Sequence, residues 1–287
     1  MPPLPENSRQ DVATALRDAD MRLRATSDTA RLDAEVLMAH ALDTSRSRML
    51  LHHMRDPAPD SFTALVERRL RHEPVAYITG AAEFYGLELA VSPAVLIPRG
   101  DSETLIEAAR EAFATQPPAS VLDLGTGSGA LLIAALSLFP DAYGLGLDRS
   151  QAALDIAARN AEQVHDRAEL RCLDWTIEGW KQGLGQFDLI LANPPYVEDD
   201  AALSPSVREF EPSGALFAGP DGLDDYRILL PQLPELLTVR GLALVEIGYR
   251  QANAVMALGD DQGLASQLHH DLAGRPRAIA FSRLLHR

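Results

Sequence analysis

The 287-residue chain has a single cysteine and no long apolar run, and each shortage excludes a class of protein. Cys172 allows no intrachain disulfide and no cysteine-rich metal cluster, and we expect it to fill a strand face as a small apolar side chain. No apolar run approaches the roughly 18 residues of a membrane span. Met1–Glu6 lacks the layout of a signal peptide, so we expect a cytoplasmic protein without membrane contact.

Positive charge is also scarce. The chain has 26 lysine and arginine residues against 41 aspartate and glutamate residues, a formal net charge of -15. Broad contact with a nucleic-acid backbone usually needs a basic surface, so the composition disfavours direct nucleic-acid binding. The length suits one catalytic domain and a smaller one.

The stretch Asn193-Pro194-Pro195-Tyr196 gives the strongest indication of function. The apolar run Phe187–Ala192 predicts a buried strand before it, and the two prolines then restrict the backbone. The side-chain oxygen of Asn193 and the carbonyl of Pro194 are acceptors that suit the two hydrogens of a planar NH2 group, while Tyr196 could cover its flat face. We interpret these four residues as a catalytic turn that holds a weakly nucleophilic nitrogen towards an electrophile. A Pro-rich turn that merely ends a strand is the alternative.

A second candidate site is the glycine turn Asp123-Leu124-Gly125-Thr126-Gly127-Ser128-Gly129, between an apolar strand and an apolar helix. Its glycines allow close approach of a ligand to N–H groups at the start of a helix. Asp148 follows the next strand, where a carboxylate can accept both hydroxyls of a ribose. Asp174 could accept from an adenine amino group and Trp175 could lie near the base, although a Trp packed under a loop is the alternative.

The combination of the two sites selects the cofactor. A nicotinamide dinucleotide could use the glycine turn and Asp148, but hydride transfer gives no reason for a turn that holds an NH2 group. S-adenosylmethionine does, because its sulfonium methyl needs an electron-rich nitrogen held in line. We therefore expect S-adenosylmethionine at the glycine turn, with Asn193 in contact with both cofactor and substrate.

The apolar pattern predicts two domains joined by a linker. Residues 1–76 form a small helical bundle for partner recognition or for stabilisation, and residues 77–100 form a β-hairpin linker whose first strand is Tyr77–Gly80. Residues 101–287 alternate strands and helices, which predicts an α/β fold with a doubly wound, mostly parallel sheet and a closing hairpin. The predicted elements include helices Ser8–Leu23, Asp28–Asp43, Ser61–Arg71, Ala130–Leu138, Gln151–Gln163 and Asp224–Leu237, and strands Ser120–Leu124, Tyr143–Leu147, Glu169–Leu173, Phe187–Ala192 and Leu242–Ile247.

A helix is predicted to start near Thr104. Asp101 or Ser102 could cap it, and Glu103 in its first turn complements the helix dipole. Direct catalytic roles for Asp101 or Glu103 are the alternative.

With these residues assembled, the chain resembles the class I S-adenosylmethionine-dependent methyltransferases, and specifically the HemK/PrmC family, which methylates a glutamine side-chain amide in peptide chain release factors. The resemblance covers nearly the whole chain. The turn at Asn193 is shared with amino-methylating enzymes that act on DNA, RNA and proteins, whereas Ile97–Arg99 together with the N-terminal helices is more specific. The other matching segments are Asp33-Ala34-Glu35, Glu73–Gly80, Glu83-Phe84-Tyr85, Glu103, Glu211-Pro212, Asp221-Gly222-Leu223 and Glu246-Ile247-Gly248.

The resemblance implies that Gly125–Gly129 hold the methionine moiety, Asp148 the ribose and Trp175 the adenine region. Asn193–Tyr196 would hold the glutamine amide of a Gly-Gly-Gln loop, which would dock partly through the N-terminal helices. One departure is Gly100, where the family usually has proline, and it affects the placement of the neighbouring arginine.

The expected mechanism is direct in-line displacement without a general base or a metal. His165, His269 and His270 are accordingly interpreted as surface or packing residues.

Two other functions fit part of the sequence. An adenine-N6 methyltransferase acting on nucleic acid would use the same acceptor turn, but the net charge and the lack of a basic segment near residues 197–240 count against it. A non-catalytic S-adenosylmethionine-binding protein would use the N-terminal helices as an interaction surface. The oligomeric state is left open.

Overall fold

The computed structural model describes residues 10–284. The stretch Met1–Glu6, and the residues Ser8 and Arg9 that begin the first predicted helix, lie outside the described residues. The described chain divides into two compact units, residues 10–80 with Ser204–Phe210, and Ala81–Leu203 with residues 211–284. No helix in this range is both long and apolar enough to cross a membrane.

Helices lie in both units. They are α1 (Val12–Leu23), α2 (Ala30–Ala41), α3 (Arg46–His52), α4 (Ser61–Leu70), α5 (Val75–Thr79), α6 (Glu103–Ala112), α7 (Ala130–Leu138), α8 (Gln151–Ala161), α9 (Pro205–Phe210), α10 (Asp224–Leu229), α11 (Leu233–Leu236) and α12 (Ala252–Asp260).

The first unit is helical, as the amphipathic patterns predict. Its apolar faces bury a common core that includes Leu16, Leu37 and Phe62. Two acids of the segment Asp33-Ala34-Glu35 are also buried, and each is paired. Asp33 accepts hydrogen bonds from Ser27 and from Arg69 Nε, both at 2.7 Å, while Glu35 forms ion pairs with Arg31 and Arg46. These acids therefore tie together helices of the first unit.

The second unit contains a hairpin and a seven-stranded sheet. The strands are β1 (Ala81–Phe84), β2 (Leu87–Ala90), β3 (Ser120–Leu124), β4 (Tyr143–Asp148), β5 (Ala168–Cys172), β6 (Phe187–Ala192), β7 (Leu237–Glu246), β8 (Leu264–His270) and β9 (Pro276–Arg283). In the sheet the order is β5-β4-β3-β6-β7-β9-β8, with β9 antiparallel to both of its neighbours and the other pairs parallel. This arrangement confirms the predicted doubly wound, mostly parallel sheet with a closing hairpin.

Helices cover both faces of the sheet. In β3, Val121 faces a core formed with α6 and α7, whereas Leu122 faces a core formed with α10, α11 and α12. Because both faces are covered, the central strands are apolar almost throughout, which explains why they read as unbroken apolar runs in the sequence.

Three predictions about helix and strand bounds and about burial were wrong. Tyr77–Gly80 was expected as a strand, but Tyr77 lies within α5, which ends at the left-handed Gly80; a short apolar run does not distinguish a strand from one helical turn. Cys172 is exposed at the carboxyl end of the edge strand β5, although Ala168 and Leu170 on the same face are partly buried. The predicted helix Asp224–Leu237 is broken into α10 and α11, with Leu237 already in β7.

Candidate active site

The glycine turn and the turn at Asn193 lie side by side at the carboxyl edge of the sheet. Leu124 at the end of β3 pairs with Ala192 at the end of β6, so the residues that follow leave adjacent strands together. The helix α7 leads away from β3 on one face, while α10 and α11 follow β6 on the other, which opens a crevice between them. A cavity at this edge is lined, among others, by Gly125, Thr126, Gly127, Ser128, Asp148, Asp174, Trp175, Asn193 and Pro195.

The glycine turn has the backbone that its composition predicts. Gly125, Gly127 and Gly129 have φ values of +75°, +54° and +83°, a region that side chains rarely adopt. A Cβ on Gly125 would lie 2.9 Å from Cη2 of Trp175. The turn therefore needs glycine at this position both for its backbone conformation and for its close contact with the indole ring.

Asp148 is fixed at the end of β4 by two backbone hydrogen bonds. Its Oδ2 accepts from the N–H of Gly127 at 3.0 Å, and its Oδ1 accepts from the N–H of Ser150 at 2.8 Å. Each carboxylate oxygen can accept a further hydrogen bond. Since Asp148 also lines the cavity, its placement fits the predicted contact with a pair of ribose hydroxyls.

Trp175 is oriented by an acid that sequence reasoning missed. Its Nε1 donates to Oδ1 of Asp225 at 3.0 Å, and both residues line the cavity. Burial raises the pKa of Asp225. In the sequence, Asp225 reads as an ordinary acid in the first turn of a helix. Asp174, by contrast, accepts hydrogen bonds from the N–H and the hydroxyl of Thr176, at 2.9 and 2.7 Å, while still lining the cavity.

Within the turn Asn193–Tyr196, Asn193 and Pro195 line the cavity but Pro194 and Tyr196 do not. Asn193 Nδ2 donates to Oγ of Ser102 at 3.4 Å. Its Oδ1 has no hydrogen-bond partner among residues 10–284, and neither has the carbonyl of Pro194. Both predicted acceptors are thus free of protein partners in this range.

Tyr196 has its hydroxyl turned away from the cavity, because it donates to Oε1 of Glu246 at 3.2 Å. Burial and the neighbouring Glu246 carboxylate raise the pKa of the Tyr196 hydroxyl well above its usual range. The phenol therefore remains a donor. This position differs from the one predicted from the sequence, in which the Tyr196 ring covers the flat face of a ligand in the cavity.

The backbone at Tyr196 is held by a glutamine and a glycine. Gln251 Nε2 donates to the carbonyl oxygens of Tyr196 and Gly222, each at 3.1 Å, and its Oε1 accepts from the N–H of Gly248 at 3.0 Å. A Cβ on Gly222 would lie 2.3 Å from the Tyr196 carbonyl oxygen. This packing gives a physical reason for two of the glycine-containing segments noted in the sequence, whereas no sequence signal indicated Gln251.

The capping hydrogen bond predicted from Asp101 or Ser102 is absent. Ser102 occupies the N-cap position of α6 without a capping hydrogen bond, and its hydroxyl donates to Glu246 instead. Asp101 pairs with Arg277 at 2.8 Å, and Glu103 Oε1 accepts from the N–H of Tyr85 at 2.9 Å. Neither Asp101 nor Glu103 lines the cavity, whereas Ser102 does.

Arg99 lines the cavity and forms an ion pair with the buried Glu211. The backbone from Gly100 to Ser102 forms a short 3-10 turn. The ion pair with Glu211 therefore holds the Arg99 side chain, although Gly100 stands next to it in place of the proline expected from the family resemblance.

Asp123 lies beneath the glycine turn and does not line the cavity. It is 1% exposed, and its Oδ2 accepts from the Thr126 hydroxyl at 2.6 Å. Its Oδ1 has no partner among the described residues. Burial raises the pKa of Asp123 to about 7, and the Thr126 hydrogen bond opposes this shift. Asp123 thus supports the turn from below through Thr126.

The raised pKa of Asp123 predicts a pH-dependent stability. Between about pH 4 and about pH 7 the folded chain holds a proton that the unfolded chain releases, so the free energy of unfolding should fall as pH rises through this window. Asp123→Asn has no such proton, and we expect the decrease to be smaller in this variant. Urea unfolding of the cofactor-free protein at several pH values measures both slopes. Parallel slopes for wild type and variant would contradict the assignment.

Comparison with known proteins is consistent with this geometry. A family model described as the PrmC N-terminal domain matches residues 14–80. A second model, described as the methyltransferase small domain, matches residues 101–213. The catalytic domain of hMettl16, in complex with the MAT2A 3'UTR hairpin 6, superimposes with a TM-score of 0.53 at 15% identity, covering 69% of this chain and 76% of that one. This likeness shows the class I methyltransferase fold alone.

Two curated relatives match at higher identity. A release factor glutamine methyltransferase of Cereibacter sphaeroides is 42% identical over 278 residues, or 93% of this chain and 97% of the relative. One of Geobacter sulfurreducens is 41% identical over 240 residues, or 80% and 81% of the two chains. The chain therefore belongs to the release factor glutamine methyltransferase family.

Proposed function

We propose that this S-adenosylmethionine-dependent enzyme, whose protein substrates are release factors, methylates the side-chain nitrogen of the glutamine in their Gly-Gly-Gln motif by direct in-line transfer. One observation carries the proposal. Asn193 Oδ1 and the Pro194 carbonyl are two acceptors without partners among the described residues, at the end of β6 beside the glycine turn.

The cavity residues fit the cofactor. Gly125 and Gly127 bring the backbone close to the cavity, Asp148 offers carboxylate oxygens to ribose hydroxyls, and Trp175 offers a fixed ring to the adenine. When bound, S-adenosylmethionine supplies an electrophilic methyl group on a positively charged sulfur.

The chain's own residues act on the amide. A carboxamide nitrogen is a poor nucleophile because its lone pair is delocalised. We propose that Asn193 Oδ1 and the Pro194 carbonyl each accept one of its hydrogens, which orients the lone pair and stabilises the positive charge that develops on nitrogen. Pro194 and Pro195 keep these acceptors rigid. As the methyl–nitrogen bond forms, the methyl–sulfur bond breaks and a neutral thioether leaves. The nitrogen then loses its proton to water, because alkylation makes it strongly acidic.

The test uses S-adenosylmethionine with a labelled methyl group and three acceptors: a release factor, the same factor with its Gly-Gly-Gln glutamine replaced by alanine, and DNA or RNA. We expect label on the first alone, with mass mapping placing one methyl group on that glutamine. Label on nucleic acid alone would instead support the adenine-N6 alternative. Label on another residue of the release factor would refute the proposed motif.

A further inference from the structure

Glu246 is a buried carboxylate with partners on both oxygens. It ends β7 and is 1% exposed. The Ser102 hydroxyl donates to its Oε2, and the Tyr196 hydroxyl donates to its Oε1 at 3.2 Å. The Tyr226 hydroxyl donates to its backbone carbonyl at 2.9 Å. Burial of a charge is costly unless such partners are present.

The direction of the hydrogen bond from Ser102 to Glu246 determines how Asn193 can contact Ser102. An ionised carboxylate can only accept, and Ser102 has one hydroxyl hydrogen, which it gives to Glu246. Ser102 therefore has only lone pairs to offer Asn193. The amide must meet it with its NH2 end, as in the 3.4 Å contact from Nδ2. The oxygen end is then left for the cavity.

The opposite orientation would be unproductive. If Asn193 were rotated by half a turn about its terminal bond, its NH2 group would face the cavity. Two donors would then oppose the two donors of a carboxamide NH2 group, and no hydrogen bond could form. The two ends of an asparagine amide have nearly the same shape, so packing alone discriminates weakly between them.

We propose that Glu246 and Ser102 are positioning residues for methyl transfer, because together they determine that the Asn193 amide presents its oxygen to the substrate. This inference rests on the proposed function, since only a substrate NH2 group requires an acceptor at that position. Neither residue need touch the reacting atoms for this role.

The pKa of Glu246 is raised overall, and its neighbours offset part of the effect of burial. Burial raises the pKa of Glu246, whereas the Ser102 hydrogen bond, the positive charge of Arg277 and the Tyr196 hydrogen bond act in the opposite direction and Asp101 adds to the burial effect. Arg277 is itself buried and paired with Asp101 at 2.8 Å.

The main test is Glu246→Gln. A glutamine can offer NH2 to Ser102, whose hydroxyl can then donate to Asn193 Oδ1 and so favour the rotated amide. We expect kcat to fall by about tenfold, with the KM for release factor and the Kd of S-adenosylmethionine within about threefold of wild type. Ser102→Ala should behave similarly, whereas Ser102→Thr keeps the hydroxyl and should restore kcat to within about threefold.

Two comparisons separate positioning from stability. Tyr226→Phe removes a hydroxyl whose one hydrogen bond within residues 10–284 goes to the Glu246 backbone carbonyl, so it should lower stability without lowering kcat. The double variant Glu246→Gln with Ser102→Ala should be no slower than the slower single variant, because both changes break one hydrogen-bonded chain.

The outcomes are distinguishable. Wild-type kcat in folded Glu246→Gln, or equal kcat in Ser102→Thr and Ser102→Ala, would overturn the positioning role alone. If Glu246→Gln does not fold, the two Ser102 variants still decide. A wild-type enzyme that puts no methyl group on the release factor glutamine would instead refute the proposed function.

Discussion

Asn193→Ala is expected to slow methyl transfer to release factor by about 1,000-fold, or about 4 kcal/mol, while the Kd of S-adenosylmethionine changes by less than about threefold. The reason is that the alanine removes the side-chain acceptor at the end of β6 and leaves the glycine turn, Asp148 and Trp175 in place. A group that stabilises only the developing charge lowers kcat when it is lost, whereas a group that binds the cofactor raises its Kd.

The matched control is Asn253→Ala, the same substitution at an exposed position of α12. It should leave both turnover and cofactor affinity at wild-type values. Single-turnover assays measure the transfer step, and isothermal titration measures the Kd. Equal single-turnover rates in wild type and Asn193→Ala would refute the role proposed for Asn193, and a large rise in Kd would assign it to cofactor binding instead.

Elements whose signals are local in sequence were predicted closely. The strands Ser120–Leu124 and Phe187–Ala192 and the helix Ala130–Leu138 have the predicted bounds. Each is an apolar run that ends at a glycine or proline turn, so its pattern and its ends both lie within a few residues. Such turns also carry the candidate site, which explains why Gly125 and Asn193 could be chosen from sequence and prove to be neighbours across β3 and β6.

Residues that support the site from a distance could not be predicted. Ser102 and Glu246 are 144 positions apart, and Trp175 and Asp225 are 50 positions apart, yet each pair is joined by a hydrogen bond. A serine before a helix reads as a cap, because capping is the commonest local role of serine there. Only the sheet brings Glu246 beneath it and gives its hydroxyl a stronger acceptor than the backbone N–H groups.

The resemblance drew attention to Glu246-Ile247-Gly248 without a physical reason for its glutamate. The structure supplies one, since the carboxylate accepts hydrogen bonds from Tyr196 in the Asn193 turn and from Ser102, which contacts Asn193. The same network explains why Tyr196 does not line the cavity: its hydroxyl already has a buried partner. From the sequence alone, an aromatic residue after two prolines could equally face a ligand or the core.

Gly125→Ala should weaken S-adenosylmethionine binding by about 30-fold, or about 2 kcal/mol, which is typical when a base loses its aromatic stacking partner. Two effects arise in this variant. Alanine at a φ of +75° strains the backbone. Its Cβ would also lie 2.9 Å from Cη2 of Trp175, so the indole must shift and strain its hydrogen bond to Asp225.

Comparison with Gly183→Ala, which has the first effect alone, isolates the second effect. Gly183 has a nearly equal φ of +79°, but a Cβ there meets nothing within 4 Å. It lies in an exposed loop before β6, so this variant should show a similar backbone strain with an unchanged Kd. Titration calorimetry measures the two Kd values, and thermal unfolding compares the two losses of stability. If both variants bind S-adenosylmethionine as wild type does, the indole of Trp175 does not contact the adenine, and the cofactor must occupy another part of the cavity.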